Sequence, residues 1–153
     1  METSTSICQN LQTMKIIILL AFFALTLRSQ TIYQNGKPVA TYSHPYIYKG
    51  SSKFSTDIIG SLKDSRIYTS QFTYSTNASL TIKLPYIYKG LYPTQSSLLY
   101  TIKGNYIYSK GATTPTYTYI NNKLYKGSFI HPAYIIANTN KELPIYVIVY
   151  LLN

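Results

Sequence analysis

The side chains with the most chemistry to offer are lysines that return at repeated positions. Lys63, Lys83 and Lys103 are evenly spaced along the chain, and Lys49, Lys89 and Lys126 each close an Ile/Leu-Tyr-Lys phrase. Repeated ammonium groups hold anions such as lipid headgroup phosphates or acidic polysaccharide, at about 1 kcal/mol per cation near an anionic membrane. Five tyrosines, Tyr48, Tyr68, Tyr88, Tyr108 and Tyr125, follow the same rhythm. Their rings suit stacking on sugars or the boundary between membrane and water. Both sets also have ordinary structural uses, since Lys discourages pairing at strand edges and Tyr covers half-buried sheet.

Catalytic chemistry has little material. The two histidines, His44 and His131, each precede a proline and read as loop residues, and the carboxylates beyond residue 29 are Asp57, Asp64 and Glu142. A metal site needs more ligands at compatible spacing than these dispersed groups supply. No nucleophile with an oriented base and no glycine-rich phosphate loop leading into a helix is visible. We therefore expect no enzyme and no cofactor.

Residues 14–30 have the layout of a secretory leader: Met14-Lys15, an apolar run from Ile16 to Leu27 interrupted only by Thr26, then Arg28-Ser29-Gln30. The run is short for a membrane span. The reading is a signal peptide over residues 1–29, forming a signal helix, with Met14 an alternative start and cleavage near Ser29 or Gln30. Cys8 falls in this leader, so no cysteine remains for a disulfide or a thiol nucleophile. Residues 30–153 then form one domain that is secreted, periplasmic or cell-envelope associated. It carries 11 Lys and Arg66 against three carboxylates, a net charge of +9, and all 18 Tyr. Such an excess attracts anionic surfaces through its long-range field.

The elements that must position these residues follow from the repeat itself. Ile47-Tyr48, Ile67-Tyr68, Ile87-Tyr88 and Ile107-Tyr108 recur at one constant interval, with Leu124-Tyr125 after a shorter unit and Ile145-Tyr146 after a longer one. A fixed short period means one supersecondary unit copied several times. Before each of the first five phrases lies a two-residue break: His44-Pro45, Asp64-Ser65, Leu84-Pro85, Gly104-Asn105 and Asn121-Asn122. Taken as hairpin turns, these breaks fix a register. The second pair outward is then Tyr42 with Ile47, Leu62 with Ile67, Ile82 with Ile87, Ile102 with Ile107 and Tyr119 with Leu124. All are apolar or aromatic, so this face is buried. The third pair sets Thr41, Ser61, Thr81, Thr101 and Thr118 against the five tyrosines on the opposite face, because side chains alternate along a strand.

Lone hairpins of this size are marginal in water, so the units must pack together. The apolar run from Ile145 to Leu152 reads as a buried strand that closes a ring against the first strand near Ile32. A closed ring and an open stack of hairpins both fit the repeat, with five or six hairpins. The fold class is all-β: short, repeated antiparallel β-hairpins closed into a shallow barrel.

Short secreted chains with an Ile-Tyr-x-Gly phrase repeated around two-strand units resemble the bacterial beta-flower proteins, the five-fold group most of all. Here the phrases are Ile47-Tyr48-Lys49-Gly50, Ile87-Tyr88-Lys89-Gly90 and Leu124-Tyr125-Lys126-Gly127. The resemblance covers residues 31–153 and implies hairpin petals around a shallow central barrel. It implies no enzymatic activity and no defined site residues; a likeness in shape to lipid-binding tubby-like barrels implies membrane or lipid contact. The expected function is a non-catalytic, secreted or envelope-associated module that contacts anionic membrane lipid through the lysines and tyrosines named above. The alternatives are a carbohydrate or cell-wall binder, in the style of choline-binding repeats, and a purely structural assembly protein. No nucleic acid partner is expected.

Overall fold

The computed structural model describes residues 29–153, so the leader expected over residues 1–29 lies almost wholly outside the described residues. Twelve antiparallel strands close into one barrel. They are β1 (Gln30–Gln34), β2 (Lys37–Ser43), β3 (Tyr46–Lys49), β4 (Ile58–Lys63), β5 (Arg66–Tyr68), β6 (Ala78–Lys83), β7 (Tyr86–Lys89), β8 (Leu98–Lys103), β9 (Tyr106–Ser109), β10 (Tyr117–Ile120), β11 (Lys123–Lys126) and β12 (Ile135–Thr139). An α-helix, α1 (Ile145–Leu151), follows the strands.

Each expected hairpin has the register derived from the sequence. Tyr42 pairs with Ile47, Leu62 with Ile67, Ile82 with Ile87, Ile102 with Ile107 and Tyr119 with Leu124. Ile47, Ile67, Ile87 and Ile107 are fully buried. Each stabilises the barrel by about 1.5–3 kcal/mol relative to an exposed side chain. The five tight turns lie at one rim, and the longer loops 50–57, 69–77, 90–97, 110–116 and 127–134 lie at the other. Asn121 and Asn122 take φ of 51° and 61°, and Asp64 and Ser65 take 49° and 58°, the left-handed pair that a two-residue hairpin needs.

The sixth unit is assembled from the two ends of the chain. β12 supplies the strand before the turn position and β1 the strand after it, so Ile32-Tyr33 is the sixth copy of the repeated phrase, not Ile145-Tyr146. Ile32 pairs with Thr139 and Tyr33 with Asn138. The Thr31 amide donates to the Asn140 side chain at 2.8 Å, which tethers the seam. A register shift marks the step between the apolar residue and Tyr at Ile32/Tyr33, Ile47/Tyr48, Ile67/Tyr68, Ile87/Tyr88 and Leu124/Tyr125. Such bulges bend a strand and increase its twist, which lets strands of three to seven residues close a barrel and throws the loops outward.

The segment 145–152, expected as the closing strand, is instead a helix that fills the interior. Val147, Ile148 and Val149 are buried, and the helix packs against the barrel's apolar face. The reason is hydrogen bonding rather than propensity. With β1 already paired to β12, the closed ring offers no free edge, and a segment inside an apolar barrel must satisfy its own N–H and C=O groups. Three β-branched residues from Val147 to Val149 favour a strand locally, and that preference is overruled. Helix α1 enters beside the tight turns, where Tyr146 borders the same cavity as His44 and Leu62. It ends near the loop rim, where the Tyr150 hydroxyl donates to the Ile59 carbonyl.

Candidate functional site

The repeated phrase has a local structural meaning. Gly50, Gly90 and Gly127 adopt φ of 61°, 74° and 77°, a region open to glycine without a Cβ clash. Each turns its carbonyl toward the hydroxyl residue on the facing strand. Thr41, Thr81 and Thr118 donate to Gly50, Gly90 and Gly127 at 2.8, 2.7 and 2.7 Å. Ser61 does the same to the Ser70 carbonyl at 2.6 Å, where no glycine follows the phrase. These four hydroxyl residues are buried. They latch the start of each loop to the outer wall of the barrel, and Thr101 is the one member of the ladder without this bond among the described contacts.

Burial divides the five tyrosines. Tyr68 and Tyr125 are only 5% and 6% exposed, so they are wall residues withdrawn from any surface contact. Tyr48, Tyr88 and Tyr108 are half-buried. Tyr48 lies edge-on to Tyr46, Tyr88 is tilted against Tyr86, and the Lys103 ammonium sits 5.2 Å from the Tyr108 ring centre.

The six expected lysines are all exposed, but they form two groups at opposite ends of the barrel. Lys63, Lys83 and Lys103 end strands at the tight-turn rim, paired with Arg66, Tyr86 and Tyr106 on the outer face. Lys49, Lys89 and Lys126 end strands at the loop rim. There they are paired with Ala40, Leu80 and Tyr117 on the inward phase. The hairpin register implies this separation, since Lys63, Lys83 and Lys103 stand beside the turns and Lys49, Lys89 and Lys126 two residues beyond the buried Ile or Leu.

The loop rim also carries residues that the sequence reading passed over. Phe54, Phe72, Tyr74, Tyr92, Phe129, Ile130 and Tyr134 are 47–76% exposed, and all lie on the long loops. Phe54 and Tyr74, one repeat apart, each stand just before a one-turn 3-10 helix, Ser55–Asp57 and Ser75–Asn77. The Phe72 and Tyr74 rings stack at 5.8 Å. The signal that could have found them is this second periodic position, at the same offset beyond buried Ile47 and Ile67. Lys37, Lys53 and Lys110 join Lys49, Lys89 and Lys126 at this rim, all exposed. Lys110 also donates to the Ser96 carbonyl on the neighbouring loop at 3.0 Å.

Both histidines bond groups two residues away in the chain. His44 bonds the Tyr42 hydroxyl at 3.0 Å, and His131 accepts from the Ala133 amide as a helix cap. Among the described residues no group of three or more His, Cys, Asp or Glu could hold a metal ion. No helix among them is long and apolar enough to cross a membrane.

Residues 28–149 match the family model of the 6-fold beta flower protein. No curated protein and no solved structure matches the chain. The six-fold count agrees with the six hairpin units of the barrel and replaces the five-fold likeness drawn from the sequence, which missed the unit split between the two ends. With twelve strands in six units, a repeated apolar-Tyr phrase and a family match over most of its length, the chain belongs to the six-fold beta flower proteins.

Proposed function

We propose that this protein is a non-catalytic, secreted or envelope-associated module that binds anionic membrane surfaces with its loop rim. The observation that carries the reading is the crown of seven exposed aromatic and aliphatic side chains on the long loops, interleaved with six exposed lysines at the same rim. Monomeric proteins rarely display so many large apolar groups together without a partner. Aromatic rings with flanking cations are the side chains that settle at a bilayer interface. Each lysine adds about 1 kcal/mol near an anionic surface, so six together weigh against the several kcal/mol lost on association. Lys63, Lys83 and Lys103, at the far rim, play no part in this contact.

Co-sedimentation with phosphatidylglycerol and phosphatidylcholine vesicles tests the reading. Binding to the anionic vesicles is expected at low salt, and it weakens toward 1 M salt as the Debye length shrinks to about 3 Å. A triple variant, Phe54→Ser, Phe72→Ser and Phe129→Ser, is expected to lose most of that binding, while Lys63→Gln with Lys83→Gln leaves it nearly unchanged. Equal absence of binding to both vesicle types at low salt would remove the proposal. Binding to glycans instead would favour the cell-wall reading.

A further inference from the structure

Helix α1 does not fill the barrel evenly. On one side it is pressed against β4: a Cβ on Gly60 would lie 3.0 Å from the Tyr150 ring, and the Tyr150 hydroxyl is bonded to the Ile59 carbonyl. On the other side a gap of about 210 Å³ runs between the helix residues Ile148 and Leu151 and the wall residues Ile32, Val39, Leu124 and Ala137. One end of this gap lies toward the tight-turn rim. There the Tyr119 hydroxyl bonds the Thr139 hydroxyl at 3.1 Å and accepts from the amide of buried Leu143 at 3.0 Å. At the loop rim it is bordered by exposed Gln34, whose amide is the polar group at the mouth.

We propose that this gap is a binding site for a single linear alkyl chain, threaded beside helix α1 with its polar end at Gln34. Ile32, Val39, Leu124, Ala137, Ile148 and Leu151 make most of the lining apolar, and the Tyr119 and Thr139 hydroxyls at one end already bond one another, so the gap favours hydrocarbon over water. An apolar cavity of about 150 Å³ stays dry and takes up benzene. By that measure 210 Å³ accommodates a chain of about six to eight carbons. The mouth opens on the rim that carries the exposed aromatic side chains. The chain can therefore be the end of a lipid acyl group or a free alkyl compound.

Protein labelled at the Ile, Leu and Val methyls would be titrated by NMR with 1-octanol and, separately, with dihexanoyl phosphatidylglycerol below its micelle concentration. Saturable shifts are expected at Ile32, Leu124, Ile148 and Leu151, but not at Ile67 or Ile87, which do not line the gap. Ala137→Leu, which fills the gap, is expected to weaken binding at least tenfold. If that variant does not fold, Val39→Phe narrows the same channel from β2. A response to octanol alone assigns the site to free alkyl compounds; a response to the phospholipid assigns it to a lipid acyl chain. No saturable shift with either probe, or shifts unchanged in the filled variant, overturns the site. Vesicle co-sedimentation does not depend on this cavity, so failure here leaves the membrane proposal standing, and the reverse holds too.

Discussion

At the scale of single residues, the recurring hydroxyl opposite Tyr is the most informative position. Sequence spacing placed Thr41, Ser61, Thr81, Thr101 and Thr118 on one face, but their bonding could not be read from it. The acceptor carbonyl lies beyond both the turn and the bulge, and only the folded backbone brings it near. A buried hydroxyl bonded to a carbonyl contributes about 1 kcal/mol, and losing it leaves the carbonyl unpaired at a cost of about 1–3 kcal/mol. Thr81 makes this bond at 2.7 Å to Gly90 and a second at 3.0 Å to Leu91. Thr81→Val is therefore expected to lower unfolding stability in urea by about 1–2 kcal/mol. Thr101→Val, with no such bond, is expected to stay within about 0.5 kcal/mol of the parent. Equal losses in the two variants would count against the latch.

At the scale of elements, α1 is a helix only because of where it lies. Seven residues without a side-chain cap are far too few for a helix to persist alone in water. Its position is set by Tyr150 against the bare backbone of Gly60. Gly60→Ala would force the ring away from β4, and overpacking of this kind costs about 1–3 kcal/mol. In a Tyr150→Leu background the same change is expected to cost less than half as much, because the ring it displaces is gone. Additive losses in this double-mutant cycle, measured by denaturant unfolding, would show that the helix is not held there.

At the scale of the whole molecule, closure of the barrel around α1 withdraws several phenols partly or wholly from water. Burial, reinforced by the neighbouring Tyr146 hydroxyl, pushes Tyr42 up to about 12. Burial also raises Tyr146, Tyr150 and Tyr100. In the unfolded chain a phenol ionises near 10. Above that pH the unfolded state binds fewer protons than the folded one, so stability that is complete below pH 10 falls as the pH rises toward 12. The slope is limited to about 1.4 kcal/mol per pH unit for each buried Tyr. Urea midpoints between pH 8 and pH 11.5 are expected to hold steady and then decline, with a shallower decline in Tyr42→Phe. An identical alkaline slope in that variant would show that Tyr42 ionises as freely in the fold as outside it.

The chain by itself determined the hairpins, their register and the face that turns inward. Alternation along a strand and a two-residue turn leave one way to bury Ile47, Ile67, Ile87 and Ile107 together, and that logic is local. The same register set Lys63, Lys83 and Lys103 beside the turns and Lys49, Lys89 and Lys126 at the opposite strand ends, whereas the burial of Tyr68 and Tyr125 was decided only by the packed barrel. The fate of residues 145–151 was decided only by closure. Once β1 met β12 no strand edge remained, and an apolar segment enclosed by side chains had to bond its own backbone, so a sequence suited to a strand became the helix at the centre of the barrel.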